Sequence, residues 1–153
     1  MDAPVDPLQR LLIQQAVNDL VLRSAACVDS RDAAGLAALF TPDGELQRPS
    51  GTPLQGRAAI EQAYAQRPPG RLTRHLVTNL RVEVESPRRA RAHSLVLLWS
   101  GSSDDAQGPQ GRPARGAQQV GEFRDRLILT DEGWRLEQRI ASFVLHLPEA
   151  AAG

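Results

Sequence analysis

Strict alternation of apolar and charged residues, from Leu80 to Glu85, is the clearest pattern along the chain and is typical of a strand with one buried face. Segments of similar composition follow it, separated by residues that favour turns. We predict strands over residues 72–85, 90–100, 118–130 and 134–145. Turns at 86–89 and 131–133 join two pairs of these strands, and a flexible loop over about 101–117 joins the middle two.

The first part of the chain has helical periodicity instead. Residues 8–28 predict an amphipathic helix whose first turn accommodates Pro7. Shorter helices are predicted over 32–40, with Ser30 or Asp32 as the N-cap, and over 56–64. The apolar positions at helical spacing in the first helix are Leu8, Leu11, Leu12, Ala16, Leu20 and Ala26.

Between the second and third helices the sequence predicts a turn at 41–44, a short strand at 45–47 and then a loop. This order of elements favours an α+β fold, with helices packed on one face of a curved antiparallel sheet. The length of 153 residues suits a single domain, residues 1–153, with a loose C-terminal tail over 148–153.

Composition argues against several classes of function. The 18 Arg and Lys residues are scattered and balance 18 Asp and Glu residues, which argues against nucleic acid as a partner. Cys27 is the only cysteine, so an internal disulfide and a cysteine-based metal site are both excluded. The three histidines lack ligand spacing, and no phosphate loop or dinucleotide fingerprint is present, so we expect neither a metal nor a cofactor.

The sequence shows neither a membrane span nor a signal peptide. No apolar run approaches the length of a membrane span, and residues 1–7 lack the basic start and apolar core of a signal peptide. We therefore expect a cytoplasmic protein that has no membrane partner.

Two short stretches are candidates for chemistry. His75 stands near the start of the first long strand, and Asp29 stands at the end of the first helix. Our hypothesis is that Asp29 orients His75, which then moves a proton on a small organic substrate, because a neutral imidazole has suitable basicity. The alternatives are that His75 is structural and that Asp29 caps the second helix, a role for which Asp32 competes.

Alternation along the first long strand creates a difficulty for this hypothesis. It places His75 on the face opposite Leu80, Val82 and Val84, so that either the histidine or the aliphatic residues would face outward. A β-bulge near Thr78–Asn79 would reverse the alternation and turn both sets inward. We therefore predict a bulge there.

The second long strand separates into two different faces. Ala92, Ser94, Val96 and Leu98 are small or aliphatic, so we assign them to the interior, where Val96 and Leu98 could line a pocket. The other face carries large apolar residues among charged ones. An exposed apolar patch of this kind usually marks an interface, so we predict a homo-oligomer, a dimer or trimer, packed through the outer face of the sheet. The patch consists of Leu95, Leu97 and Trp99.

Several segments in this order resemble the SnoaL-like domains of the NTF2-like superfamily, over roughly residues 8–145. The resemblance implies a cone, in which a strongly bent antiparallel sheet wraps around the long first helix and opens at one end into an apolar pocket. The segments that carry it are Val28 to Asp32, residues 38–44, Gly56-Arg57, Arg74 to Asn79 and Asp131 to Arg135.

Locally the chain is similar to scytalone dehydratase, bile-acid 7α-dehydratase and hexachlorocyclohexane dehydrochlorinase. This resemblance implies a catalytic dyad of His75 and Asp29, and it places an anion-holding arginine at Arg139. The chain departs from those enzymes where their tyrosine or lysine helpers would stand, because Val28 and Ser24 occupy that neighbourhood.

The resemblance and the residues together imply a cofactor-independent lyase, a dehydratase or related elimination enzyme, for a small, mostly apolar cyclic or aromatic substrate. The alternatives are an isomerase or cyclase that shifts a proton in the same pocket, a non-catalytic ligand-binding module, and a subunit associated with a ring-hydroxylating oxygenase. Arg139 could instead pair with a carboxylate such as Glu137, and Tyr64 could serve helix packing. The candidates for substrate binding are Arg139, Val96, Leu98, Tyr64 and Val28.

Overall fold

The computed structural model describes residues 4–148, in which three helices lie against a six-stranded sheet of order β2-β1-β6-β5-β4-β3. The predicted α+β fold is confirmed, and so is the antiparallel arrangement of β3 to β6. Residues 149–153 of the predicted tail lie outside the described residues. The elements are α1 (Pro7–Asp29), α2 (Ala33–Ala38), β1 (Phe40–Gln47), β2 (Leu54–Gln55), α3 (Arg57–Ala65), β3 (Arg71–Ser86), β4 (Arg89–Ser102), β5 (Gln118–Thr130) and β6 (Gly133–Leu147).

The predicted turn at 41–44 is wrong, because these residues belong to β1. This strand runs parallel to β6, which the antiparallel prediction did not include, and a register shift between Phe40 and Glu45 absorbs the turn-forming residues. Gly44 lies where a Cβ atom would meet the Leu136 carbonyl at 3.0 Å, so only glycine fits this close approach. The short strand β2 falls in a segment predicted as loop and pairs with β1.

The apolar positions predicted at helical spacing in α1 are only partly those that face the core. Leu20 is 5% exposed, but Leu8, Leu11 and Leu12 are 60–65% exposed and face away from the core. This helix carries apolar residues on both faces, so its pattern did not distinguish them. The buried residues of α1 are Ile13, Val17, Leu20, Val21, Ser24 and Ala25.

No helix within residues 4–148 is long and apolar enough to cross a membrane.

The predicted β-bulge in β3 is confirmed. Thr78 lies opposite Leu95 and Arg81 lies opposite His93, so β3 has one more residue than β4 across this step. Asn79 adopts φ 51°, the left-handed conformation that asparagine tolerates better than most residues. Side chains before and after the bulge therefore point to the same side of the sheet, toward α1.

The face assignment for β4 is confirmed by burial. The interior set, Ala92 to Leu98 at alternate positions, is at most 6% exposed, whereas Leu97 and Trp99 are 40% and 42% exposed. Across the neighbouring strands, Leu76 and Val120 flank Leu97 in register, and Leu145 lies beyond Val120. A continuous apolar row thus crosses four strands on the outer face.

We propose that this apolar row packs against a second copy of the chain. Replacing Leu97 by Glu should then dissociate the oligomer, because an unpaired carboxylate would be buried at the interface. Light scattering at micromolar concentration should give a multiple of the chain mass for the native protein and a single-chain mass for Leu97→Glu. Leu11→Glu, the same change at an exposed position of α1, is the matched control. A single-chain mass for the native protein would contradict the proposal.

Candidate active site

A cavity of about 400 Å³ lies between the helices and the inner face of the sheet. His75 lines it together with all five residues that the sequence proposed for substrate binding, Val28, Tyr64, Val96, Leu98 and Arg139. Its size is within the range of pockets for small organic molecules. The apolar part of the wall is completed by Ala25, Leu36, Phe40, Leu46, Ala63, Phe123, Ala141 and Phe143.

Asp29 and His75 are in direct contact. Asp29 Oδ1 lies 2.6 Å from His75 Nδ1, and Asp29 Oδ2 accepts a 2.8 Å hydrogen bond from the His75 backbone N–H. The Thr73 hydroxyl donates to Asp29 Oδ1 at 3.0 Å. Both carboxylate oxygens are thus held by β3, and the side chains of His75 and Asp29 are only 15% and 16% exposed.

The environment keeps Asp29 ionised. Burial acts to raise the pKa of Asp29, but the hydrogen bonds and charge of His75, together with the hydrogen bond from Thr73, lower it below its ordinary value. An ionised carboxylate can only accept, so a neutral His75 ring would carry its proton on Nδ1. The Nε2 lone pair is then available, and within residues 4–148 Nε2 has no hydrogen-bond partner.

The end of α1 is anchored to the start of β3 by Arg31. This residue follows the helix in a left-handed conformation, φ 64°. Its guanidinium donates to the backbone carbonyls of Arg67, Pro68 and Arg71, at 2.9 Å, 3.0 Å and 3.4 Å. Asp32, not Asp29, caps α2 by accepting from the Gly35 N–H at 2.8 Å. The alternative role of Asp29 as a cap is therefore wrong, and its carboxylate serves His75.

Arg139 faces the interior and does not pair with Glu137, which instead contacts Arg89. Arg139 is only 4% exposed, and its guanidinium donates two hydrogen bonds to Asp125, at 2.7 Å and 2.6 Å. A third bond runs to the Ser24 hydroxyl at 2.6 Å. The expected surface pairing is wrong because a register shift in β5–β6 places Arg139 opposite Asp125.

Tyr64 packs against the core and also lines the cavity, so both of its proposed roles are compatible with its position. Burial raises the pKa of its phenol, although the charges of Arg139, Arg67, Arg48 and Arg71 oppose that rise. The phenol therefore keeps its proton at neutral pH. Within residues 4–148 its hydroxyl makes no hydrogen bond.

The sequence did not single out several residues that the structure places at the site. Thr73, Arg31 and Asp125 hold other groups in position, and no local pattern marked them. In the described part of the chain, no three His, Cys, Asp or Glu side chains lie together as a metal site requires. Arg48, Arg67 and Arg71 also line the cavity, although the sequence pattern shows them only as scattered arginines.

A curved sheet around a long helix is an NTF2-like α+β fold, and the His–Asp pair lies at the wall of its cavity. The chain belongs to the SnoaL-like domain family, whose pattern matches residues 9–140. No curated protein matches the chain in sequence.

Solved structures agree with this fold. A hexachlorocyclohexane dehydrochlorinase is 20% identical with a TM-score of 0.80, and the match covers 96% of this chain and 95% of that chain. A protein of Novosphingobium aromaticivorans, provisionally described as a scytalone dehydratase, is 20% identical with a TM-score of 0.75, over 94% and 92%. An NTF2-like protein with a cystatin-like fold from the same organism is 24% identical with a TM-score of 0.68, over 88% and 84%.

Removing Asp125 should destabilise the protein strongly. Asp125→Ala would leave the buried Arg139 guanidinium without its carboxylate, which typically costs about 3–5 kcal/mol of unfolding free energy. Urea denaturation measures this loss. Glu132→Ala, which removes the half-exposed partner of Arg57, is the matched control and should cost less than about 1 kcal/mol. Equal losses in the two variants would contradict a buried ion pair.

Asp29 should make the stability of the protein depend on pH in a defined direction. Because its pKa is lowered on folding, the unfolded chain takes up the proton first as pH falls, and the stabilisation present above the ordinary aspartate pKa is then lost. The difference in unfolding free energy between the native protein and Asp29→Asn should therefore shrink on acidification.

Urea denaturation from about pH 7 to about pH 3 measures this difference. Asp131→Asn, in the exposed β5–β6 turn, corrects for the loss of one surface charge. A difference between the native protein and Asp29→Asn that stays constant with pH would show that His75 does not stabilise the carboxylate.

Proposed function

We propose that the protein is a cofactor-independent lyase that removes a proton from a small, mostly apolar cyclic or aromatic substrate. The observation that carries this proposal is the 2.6 Å contact between Asp29 Oδ1 and His75 Nδ1 at the wall of a mostly apolar cavity. A ligand-binding module has no need for a histidine and a carboxylate held together in this way. His75 is the general base and Asp29 is its orienting partner.

In the proposed reaction, each side chain of the pair has a separate task. Nε2 of His75 accepts the proton as the C–H bond of the substrate breaks, and Asp29 stabilises the imidazolium that forms. Because β3 holds both oxygens of Asp29, little reorganisation accompanies this step. A positioned base of this kind contributes typically about 10²–10⁴-fold in rate.

Arg139 is suited to an oxygen that gains negative charge during the reaction. Three of its N–H groups are used by Asp125 and Ser24, and two are left. Asp125 compensates its charge, so Arg139 is a better hydrogen-bond donor to a carbonyl or enolate oxygen than a counterion for a free carboxylate. Phe123 covers the guanidinium, whose Cζ is 4.0 Å from the ring centroid.

Removal of the proton leaves an electron pair on the substrate carbon. The fate of this carbanion decides between elimination and isomerisation. In an elimination, the electron pair of the broken C–H bond forms a double bond as the leaving group departs. The phenol of Tyr64, which keeps its proton and lines the same cavity, is a candidate to supply a proton to that group. In an isomerisation, the His75 imidazolium would return the proton at another carbon. The names of the dehydrochlorinase and of the provisional scytalone dehydratase denote eliminations, which favours the lyase.

His75→Ala should abolish proton abstraction while the fold is retained, because the half-buried ring borders a cavity. Uptake of deuterium from D₂O next to the carbonyl of cyclic ketones, followed by NMR, reports this step without knowledge of the leaving group. We expect a decrease of about 10²–10⁴-fold relative to the native protein.

Asp29→Asn serves as the partner variant in the same assay. The amide keeps the size of the carboxylate but favours the wrong tautomer of His75, so exchange should slow strongly with circular dichroism unchanged. Glu83→Gln, the same carboxylate-to-amide change at an exposed position on β3, is the control that should leave exchange unaltered. Native exchange rates in His75→Ala would contradict the base role, and ligand binding without exchange would favour a binding module.

A further inference from the structure

The rim of the cavity carries positive charge that no protein carboxylate neutralises. Arg48, Arg67 and Arg71 all line the cavity, and none of them forms an ion pair within residues 4–148. This differs from Arg139 deeper in the wall, which Asp125 compensates. The remaining acidic group in the wall, Glu122, is engaged by His93 and Arg124.

Arg48 has a buried donor that lacks a partner. It follows β1, and its Nε atom is inaccessible to solvent and makes no hydrogen bond. Burying a charged donor without an acceptor is unfavourable, so an acceptor brought by a ligand in the cavity would stabilise this group. Gly51 lies beside this guanidinium, where a Cβ atom would come within 3.5 Å of Nη2. Glycine therefore leaves open space next to Arg48.

Arg71 and Arg67 stand on the other side of the same space, at the start of β3 and just after α3. Arg67 is held by the Val28 carbonyl at 3.1 Å and lies 5.9 Å from the centroid of the Tyr64 ring. The side chain of Arg71 makes no hydrogen bond within residues 4–148. Burial lowers the pKa of Arg67, and the charges of Arg71 and Arg31 lower it further, whereas Tyr64 and Asp29 oppose this change. Arg67 and Arg71 thus repel each other, and an anion would relieve that repulsion.

The three arginines share the wall of one cavity with Tyr64. The Arg67 guanidinium lies over the Tyr64 ring, and the charges of Arg67, Arg48 and Arg71 all oppose the rise in the pKa of its phenol. Tyr64 keeps its proton and cannot neutralise them. An anion held between Arg48 and Arg71 would lie beside Tyr64, with the apolar wall and His75 beyond it.

We propose that the substrate is a carboxylate, whose anionic group binds between Arg48 and Arg71 at the rim while its ring lies against Val96 and Leu98, near His75. The position of the reacting carbon near His75 rests on the proposed function. The binding of the carboxylate at the rim is tested separately, by affinity measurements. A planar carboxylate matches the fork of a guanidinium with two parallel hydrogen bonds. A cavity of about 400 Å³ with mostly apolar walls accommodates one or two rings beyond that group.

Binding of 2-naphthoate, its methyl ester and 2-naphthyl phosphate to the native protein and its variants tests this proposal. Calorimetry should show that the carboxylate binds more tightly than the neutral ester and that added salt weakens only the former. Arg48→Gln and Arg71→Gln should each weaken 2-naphthoate binding by about 10- to 100-fold and leave the ester unchanged. Neither arginine side chain makes a hydrogen bond within residues 4–148, so the fold should tolerate both changes.

A matched control makes the test specific. Arg126→Gln removes an exposed arginine that lies in register with Arg91 on the outer face of β5, and it should bind 2-naphthoate as the native protein does. Arginine-dependent binding without deuterium exchange would support the anion site and contradict the proposed function.

Other outcomes would overturn the anion site. Equal affinity for ester and carboxylate, or no loss in either arginine variant, would show that the rim does not bind a carboxylate. Binding of the phosphate alone would also contradict it, because a dianion would then be the matching ligand. Exchange on neutral ketones, together with equal affinity for the ester and the carboxylate, would leave the proposed function in place and remove this inference.

Discussion

The β-bulge at Asn79 lets one strand bury two sets of side chains that strict alternation would place on opposite faces. Before it, Thr73 and His75 point inward, and after it Val82 and Val84 do the same. Without the extra residue, a β3 that completed the core would turn His75 toward solvent. The core and the candidate site therefore depend on the same local irregularity, and the left-handed conformation of Asn79 makes it possible.

A second irregularity has the same effect on β6. Near the β5–β6 turn, Leu127 lies opposite Leu136, but one step further the register shifts and Asp125 lies opposite Arg139. This shift brings Arg139 to the inner face and gives it a carboxylate partner in the neighbouring strand. The buried pair then sets the chemistry of the wall, because an arginine compensated by Asp125 donates hydrogen bonds without presenting a free charge.

The positions of the charges divide the cavity into two parts. Deep in the wall, charged groups are paired: Asp29 with the His75 ring and Arg139 with Asp125. At the rim, Arg48 and Arg71 have no carboxylate partner within the described residues. A substrate that brings its own negative charge would complete the rim without disturbing the pairs inside. This arrangement orients a ligand, since its charged end and its reacting carbon would meet different groups.

The sequence by itself determined the type and order of most elements, because period-two alternation, helical spacing and turn residues act between neighbours. The bounds of β5, the inner face of β4 and the bulge in β3 could all be predicted in this way. Only the tertiary structure decided which apolar face of α1 is buried, since both faces are apolar and contact with the sheet selects one. It also overrode the turn signal at 41–44, where pairing with β6 outweighs local preference. The partners of Asp29, Arg139 and Arg48 likewise depend on residues distant in the chain, and no local pattern contains that information.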